Sequence, residues 1–173
     1  DPKKEVICVD PYHGDQVVDL AQQKNLSVTK LWNTHLHHDH IRGNKELEKA
    51  FSLQAELPGA ESVISLGGDW EVQVLFTPGH TREHVCFLIS EAGKQRYLIS
   101  GDTLFNFGVG NCKNGGDPVE LYHSFQKILD TIDDDVVIYP GHDYYLNNIN
   151  FALSIDSDNQ QLIKLKQERE QMK

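Results

Sequence analysis

Thr34-His35-Leu36-His37-His38-Asp39-His40 packs four histidines and one aspartate into the six residues from His35 to His40. Val28-Thr29-Lys30-Leu31-Trp32-Asn33 precedes it, β-rich and without a helical period, and reads as a strand. Ile41-Arg42-Gly43-Asn44 after it reads as a turn, and Lys45 to Phe51 as a short helix. The cluster is therefore expected on a loop at the C-terminal end of a strand, where α/β proteins hold ligands. Imidazole nitrogens and carboxylate oxygens are ligands for zinc, iron or manganese. Neighbouring side chains on an irregular loop point different ways. His35 and His37 can share one direction while Asp39 and His40 share another, which suits two adjacent metals. The plain alternative is a solvated histidine patch, and residues far downstream decide against it.

The 173 residues suffice for one domain with a real core. A net charge of −10 offers no basic footprint, which argues against nucleic acid and anionic membranes as main partners. No run of 18 apolar residues exists, and no signal-like segment opens the sequence given. The cysteines number three, none in C-x-x-C spacing. Cys8 and Cys86 lie in apolar β-type runs and read as buried core thiols, Cys112 in a Gly/Asn loop. The set is expected to be reduced and the protein cytoplasmic.

Outward from the cluster, Asp1 to Lys4 reads as a turn and Glu5 to Val9 as a strand, either an edge strand or one whose hairpin partner precedes the sequence given. Asp15 is expected to cap a helix to about Lys24. Ser52 to Ala55 and Ser62 to Leu66 read as short strands, Trp70 to Phe76 as an alternating one. That strand runs into Thr77-Pro78-Gly79-His80-Thr81. Val85 to Ile89 and Arg96 to Ser100 form a hairpin through Glu91-Ala92-Gly93-Lys94, and the second ends in Gly101-Asp102-Thr103. Leu104 to Gly116 is expected as a long loop without regular structure, a length that usually carries function. Asp117 caps a helix with Pro118 at its first position and Glu120 as in a capping box, and Leu121, Phe125, Ile128, Leu129 and Ile132 form its core stripe. Val136 to Tyr139 reads as a strand buried on both faces, ending in Pro140-Gly141-His142-Asp143-Tyr144. Helices are expected at Asn147–Leu153 and Asn159–Gln171. The order of elements favours a layered α/β fold in a single domain.

Four strand ends now carry ligand-type side chains: His35, His37, Asp39 and His40; His80; Asp102; and His142. Seven ligands exceed what one tetrahedral zinc takes, and cysteine, the mark of structural zinc, is missing from the set. Two divalent metals sharing one carboxylate fit the count and point to a catalytic centre. His84 reads as a structural neighbour of the site.

THLHHDH matches the H-x-H-x-D-H signature of the metallo-β-lactamase superfamily, and TPGHT, GDT and PGH follow in that family's order. The resemblance runs from about Val6 to Tyr145. It implies an αβ/βα four-layer sandwich, two mixed β-sheets flanked by helices, with the metals in a groove at one edge. Within the superfamily, GDTLF, PGHDY, and NNINFAL followed by a D-N pair look most like glyoxalase II, the hydroxyacylglutathione hydrolases. The resemblance implies that His35, His37 and His80 hold the first metal, that Asp39, His40 and His142 hold the second, and that Asp102 bridges. It makes residues 146–173 the start of a helical extension. It also implies hydrolysis of a small-molecule thioester by a metal-bridging hydroxide, which Asp39 orients. For substrate contacts it points to Tyr144, which keeps the family's tyrosine, and to Asn111 and Lys113, which stand where the family has a basic residue and a tyrosine.

Persulfide dioxygenases are similar to glyoxalase II and would use one iron on His35, His80 and Asp102. Leu121-Tyr122-His123-Ser124 resembles that family, but the loop after Asp102 lacks its G-R-T-D-F segment. A β-lactamase would generally replace one ligand with cysteine. A non-enzymatic metal-binding module is the alternative of a different class. Oligomeric state is not legible here.

Overall fold

A period of two runs through the central strands and sorts their side chains into separate cores. The computed structural model describes residues 4–171. The turn expected at Asp1–Lys4 falls outside them apart from Lys4, which opens the first strand. The elements in chain order are β1 (Lys4–Val9), α1 (Gly14–Gln23), β2 (Leu26–Trp32), α2 (His38–Ile41), α3 (Asn44–Phe51), β3 (Ala55–Glu56), β4 (Val63–Gly67) and β5 (Trp70–Phe76). Then come β6 (Val85–Glu91), β7 (Lys94–Gly101), β8 (Leu104–Phe105), β9 (Gly108–Val109), α4 (Pro118–Thr131), β10 (Val137–Pro140), α5 (Tyr145–Ile155) and α6 (Gln160–Gln171). The smaller of the two main sheets has the order β1-β2-β3 and the larger β10-β7-β6-β5-β4, and β8 pairs with β9 in a two-stranded ribbon. The larger sheet is mixed, with β10 parallel to β7 and the remaining pairs antiparallel. Among the described residues the smaller sheet is parallel throughout.

On β6, Val85 and Phe87 face the smaller sheet and join Trp32, Val72 and Val74 in the central core. The alternate residues Cys86 and Leu88 face the other way and join Leu75, Leu98 and Ile128 of α4. A third core of Ala21, Val28, Leu31 and Leu47 lies between the smaller sheet and helices α1 and α3. Three apolar cores separate four layers, the expected αβ/βα sandwich. Burying each of Phe87, Leu88 or Leu31 contributes roughly 1.5–3 kcal/mol to holding the layers together.

The start of α4 fixes one wall of that site. Asp117 Oδ1 accepts from the backbone N–H of Val119 at 2.7 Å and Glu120 at 3.1 Å. The reciprocal half of the expected capping box is absent, because the Asp117 N–H donates instead to Gly79 O at 2.8 Å. Ser124 Oγ donates to Pro78 O at 2.6 Å. The TPGHT turn is thus strapped to the helix. Gly79 has φ +131°, and a Cβ there would lie 2.2 Å from Leu121 N. Only glycine brings the turn that close.

Several expectations need correction. Asp15 lies inside the first turn of α1, whose N-cap is His13. Residues 38–41 form one helical turn rather than leading straight into a turn. The 104–116 segment contains the β8–β9 hairpin. Leu129 is 56% exposed, on the solvent side of α4. Val137 and Tyr139 are half exposed, because β10 is an edge strand with one face open to a cleft. Cys8 is only half buried, whereas Cys86 is fully buried. No described helix is long and apolar enough to cross a membrane.

Candidate metal centre

Strand β2 ends at Trp32, and the chain enters the site through buried Asn33, Thr34 and His35. The helical turn α2 carries Asp39 and His40 into a second group with His142, with the His40 ring centroid 4.0 Å from that of His35. His37 Nδ1 lies 3.1 Å from His35 Nε2 and 2.9 Å from His80 Nε2. His142 Nε2 lies 3.2 Å from Asp39 Oδ2. Asp102, after β7, stands between the two groups. Its carboxylate lies 3.3 Å from His40 Nε2, 3.4 Å from His80 Nε2 and 3.4 Å from His142 Nε2. All seven expected side chains therefore converge, as a His35/His37/His80 nest and an Asp39/His40/His142 nest joined by Asp102.

The atoms fit divalent metals. Ligands about 2.0–2.1 Å from a tetrahedral zinc sit roughly 3.3 Å apart, the spacing found here. His40 Nε2 and Asp102 Oδ1 are buried without a hydrogen-bond partner. Such orphaned groups cost stability unless something satisfies them, and a cation between them would. Gly141 lets the backbone pass close by, since a Cβ there would lie 2.3 Å from Asp102 Oδ1.

The rings are held from behind. His80 Nδ1–H donates to Asn111 O at 2.6 Å, leaving Nε2 free to ligate. Thr34 Oγ1 donates to Asp10 Oδ2 at 2.6 Å and so accepts from His35 Nδ1–H at 3.0 Å. His40 Nδ1–H donates to the same Asp10 oxygen at 2.8 Å. Asp10 Oδ1 takes the Thr34 N–H at 2.8 Å and Asn33 Nδ2 at 3.3 Å. Asp10, His35 and His40 also lie close enough to form a third ligand-like group. The Asp10 oxygens already accept four donors, so it works behind the ligands. Sequence reasoning passed over Asp10 as a strand breaker; its signal was an acid directly after a strand, the same pattern as Asp102.

Charge follows from these contacts. Burial, reinforced by neighbouring imidazoles, holds His35 neutral far below the usual histidine range. Burial also lowers His80, partly opposed by Asp102. Burial works against a charge on His40, yet the hydrogen bond to Asp10 and the nearby Asp102 carboxylate prevail and push it up to about 10. Burial likewise opposes ionisation of Asp102, but the adjacent His40 outweighs it and holds the carboxyl below its usual range.

His84 lies behind the site, fully buried. Its Nε2 accepts the Asp102 N–H at 3.1 Å, and its Nδ1 meets Thr77 and Thr103 hydroxyls at 3.0 Å each. Tyr144 stacks on His142 with centroids 5.2 Å apart. Asn111 reaches the site through its backbone carbonyl, and its side chain turns back to accept the Lys113 N–H. Lys113 is on the exposed part of that loop. A cleft of about 840 Å³ opens beside Asp39, His40 and His142, walled by Tyr12, Tyr97 and Tyr139.

The model of the metallo-beta-lactamase superfamily matches residues 2–64. A hydroxyacylglutathione hydrolase of Polaromonas sp. (strain JS666) is 37% identical over 169 residues, covering 90% of this chain and 64% of the relative. One from Synechococcus sp. (strain ATCC 27144) is 34% identical over 174 residues, covering 91% of this chain and 67% of the relative. A solved structure, TTHA1623 in a di-iron-bound form, is 25% identical with TM-score 0.65, covering 77% of this chain and 79% of that one.

The chain belongs to the metallo-β-lactamase superfamily. Within it, its curated relatives are hydroxyacylglutathione hydrolases, and it spans about two thirds of their length.

Proposed function

We propose that this chain is the catalytic domain of a metal-dependent thioester hydrolase with two metals. Its substrates are S-2-hydroxyacylglutathione or related small acyl thioesters. The observation that carries the reading is the pair of ligand nests sharing Asp102. His35, His80, His40 and His142 would ligate through Nε2, His37 through Nδ1, and Asp39 and Asp102 through carboxylate oxygens. The relatives named hydroxyacylglutathione hydrolase supply the substrate class. The di-iron relative supports iron as well as zinc or manganese, since His/Asp sites accept all three.

Bound metals would make water a nucleophile near neutral pH and polarise the thioester carbonyl. The chain's own residues supply the rest. Asp39, at the rim and 45% exposed on its side chain, orients the attacking water. Tyr144, stacked on His142 and 43% exposed, is the substrate contact nearest the nests. Asn111 meets His80 through its carbonyl, and Lys113 lies two residues further along the same exposed loop. A thiolate leaves without strong acid help, which fits a site where the nearest charged acid is metal-facing. We place the protein in the cytoplasm, in keeping with its three free cysteines.

The test is turnover of S-D-lactoylglutathione and other acyl thioesters by metal-loaded protein, followed by release of free thiol. No release from any of them rejects the reading. One iron per chain, instead of two metals, moves the chain toward the dioxygenase branch.

A further inference from the structure

Two openings flank the ligand nests, and they differ in character. The cleft of about 840 Å³ lies beside Asp39, His40 and His142. Strand pairing builds one wall of it. Ile89 stands opposite Tyr97 of β7, and Ile99 opposite Tyr139 of β10. Val9, on the edge strand β1 of the smaller sheet, closes the other side. Tyr97 stacks on Trp70 with centroids 6.4 Å apart and lies 5.9 Å from Tyr139, so the aromatic wall is braced. No lysine or arginine lines this cleft. Besides the histidines, its charged groups are the carboxylates of Asp10 and Asp39.

The second opening, about 340 Å³, lies beside His37 of the other nest and is bordered by Leu36, Arg82 and Glu83. Glu83 Oε1 is engaged, accepting the Leu36 N–H at 3.2 Å. Arg82 is exposed and makes no hydrogen bond or ion pair among the described residues. The other three arginines are all engaged, Arg42 with Tyr12, Arg96 with Glu91 and Arg169 with Asp143.

We propose that the tyrosine-walled cleft receives the acyl arm of the substrate, which is a bulky aryl-bearing acyl group, and that Arg82 meets a carboxylate of the thiol carrier on the opposite side. The proposal rests on the thioester reading above. A thioester carbonyl carries two arms, and with the carbonyl between the nests one arm faces each opening. Glutathione brings two carboxylates against one ammonium. The acids of the cleft disfavour that arm, and the unpaired guanidinium favours it. The acyl arm is left with the apolar cleft. The methyl of a lactoyl group leaves most of that space unfilled, whereas a phenyl ring packs against Tyr97 and Tyr139 in the offset or edge-to-face arrangements that aromatic pairs prefer.

The zinc-loaded chain is assayed on S-D-lactoylglutathione and S-D-mandeloylglutathione, which differ by methyl against phenyl. The mandeloyl ester is expected to show a kcat/KM roughly tenfold higher or more, since even one methylene in an apolar pocket is worth that much. Tyr139→Ala, at a half-exposed position on an edge strand, should remove most of that preference. Arg82→Glu should raise KM for both glutathione esters about two- to fivefold, the worth of an exposed ion pair, a rise that the uncharged N-acetylcysteamine thioester of mandelate does not share. Binding without turnover is read by NMR. S-benzylglutathione, a thioether, should bind more tightly than S-methylglutathione and shift the resonances of Tyr97, Ile99 and Tyr139. The proposal is overturned if the lactoyl ester is turned over as well as the mandeloyl ester, or if Arg82→Glu leaves KM unchanged. It is equally overturned if the benzyl group leaves Tyr139 and Ile99 unshifted, in which case another polypeptide segment fills the cleft. If no thioester is hydrolysed yet S-benzylglutathione shifts those residues, the hydrolase reading falls and the cleft assignment stands.

Discussion

Replacing His84 by leucine keeps most of the buried volume but removes the acceptor of the Asp102 N–H, 3.1 Å away. A buried donor left without a partner costs about 1–3 kcal/mol. The hydroxyls that lose the ring fare better. Thr103 Oγ1 still reaches Thr77 O at 3.3 Å, and Thr77 Oγ1 still meets Cys86 Sγ at 3.3 Å. The variant is therefore expected to lose roughly 1–3 kcal/mol, or ~2–12 °C in Tm for a domain of this size. Its acid behaviour gives a second handle. Burial first, and the neighbouring His80 second, push the folded His84 pKa down from 6.5 to about 3. The unfolded chain takes up a proton near 6.5 that the folded chain refuses until about 3. The stability His84 contributes is thus complete above 6.5 and drains away as pH falls toward 3. Leucine has no proton to take up, so the gap between parent and variant should narrow on going from about pH 7.5 to about pH 5. Thermal melts of both metal-free proteins at the two pH values measure this. Equal Tm at the higher pH, or a gap that stays constant on acidification, refutes the reasoning.

Gly79→Ala forces a side chain into a φ of +131° and against the α4 backbone, 2.2 Å from Leu121 N. It should cost about 3 kcal/mol or more and displace His80, seen as lowered Tm together with reduced metal content. Asp117→Ala removes the cap of two N–H groups and should cost about 1 kcal/mol in a thermal melt while metal content stays at the parent value. Stripping the metals with a chelator should abolish thioester hydrolysis and lower stability. Binding at a hundred times Kd contributes about 2.7 kcal/mol, and readdition of two equivalents should restore both.

The convergence of the seven side chains was legible in the sequence because they stand in segments that follow strands, and a parallel or mixed sheet gathers such ends at one edge. A layered α/β fold was legible from the order of elements, and the αβ/βα sandwich from the family resemblance; the pleat that divides Phe87 from Leu88 fills its cores. Other features depend on contacts that no local pattern encodes. Val136–Tyr139 is apolar enough for a central strand, yet its place at the sheet edge leaves Tyr139 lining the cleft. Asn111 drew notice for its side chain, whereas its carbonyl meets His80 because the β8–β9 hairpin folds the loop back. Asp10 was hidden because its partners lie 23 to 30 residues away in sequence.

Anomalous diffraction at the metal edges from crystals of the metal-loaded protein tests the central claim most directly. The expected map has two ions, one touching His35, His37 and His80, the other touching Asp39, His40 and His142, with Asp102 against both. A lone ion, or a pair that leaves Asp102 uncoordinated, would contradict it.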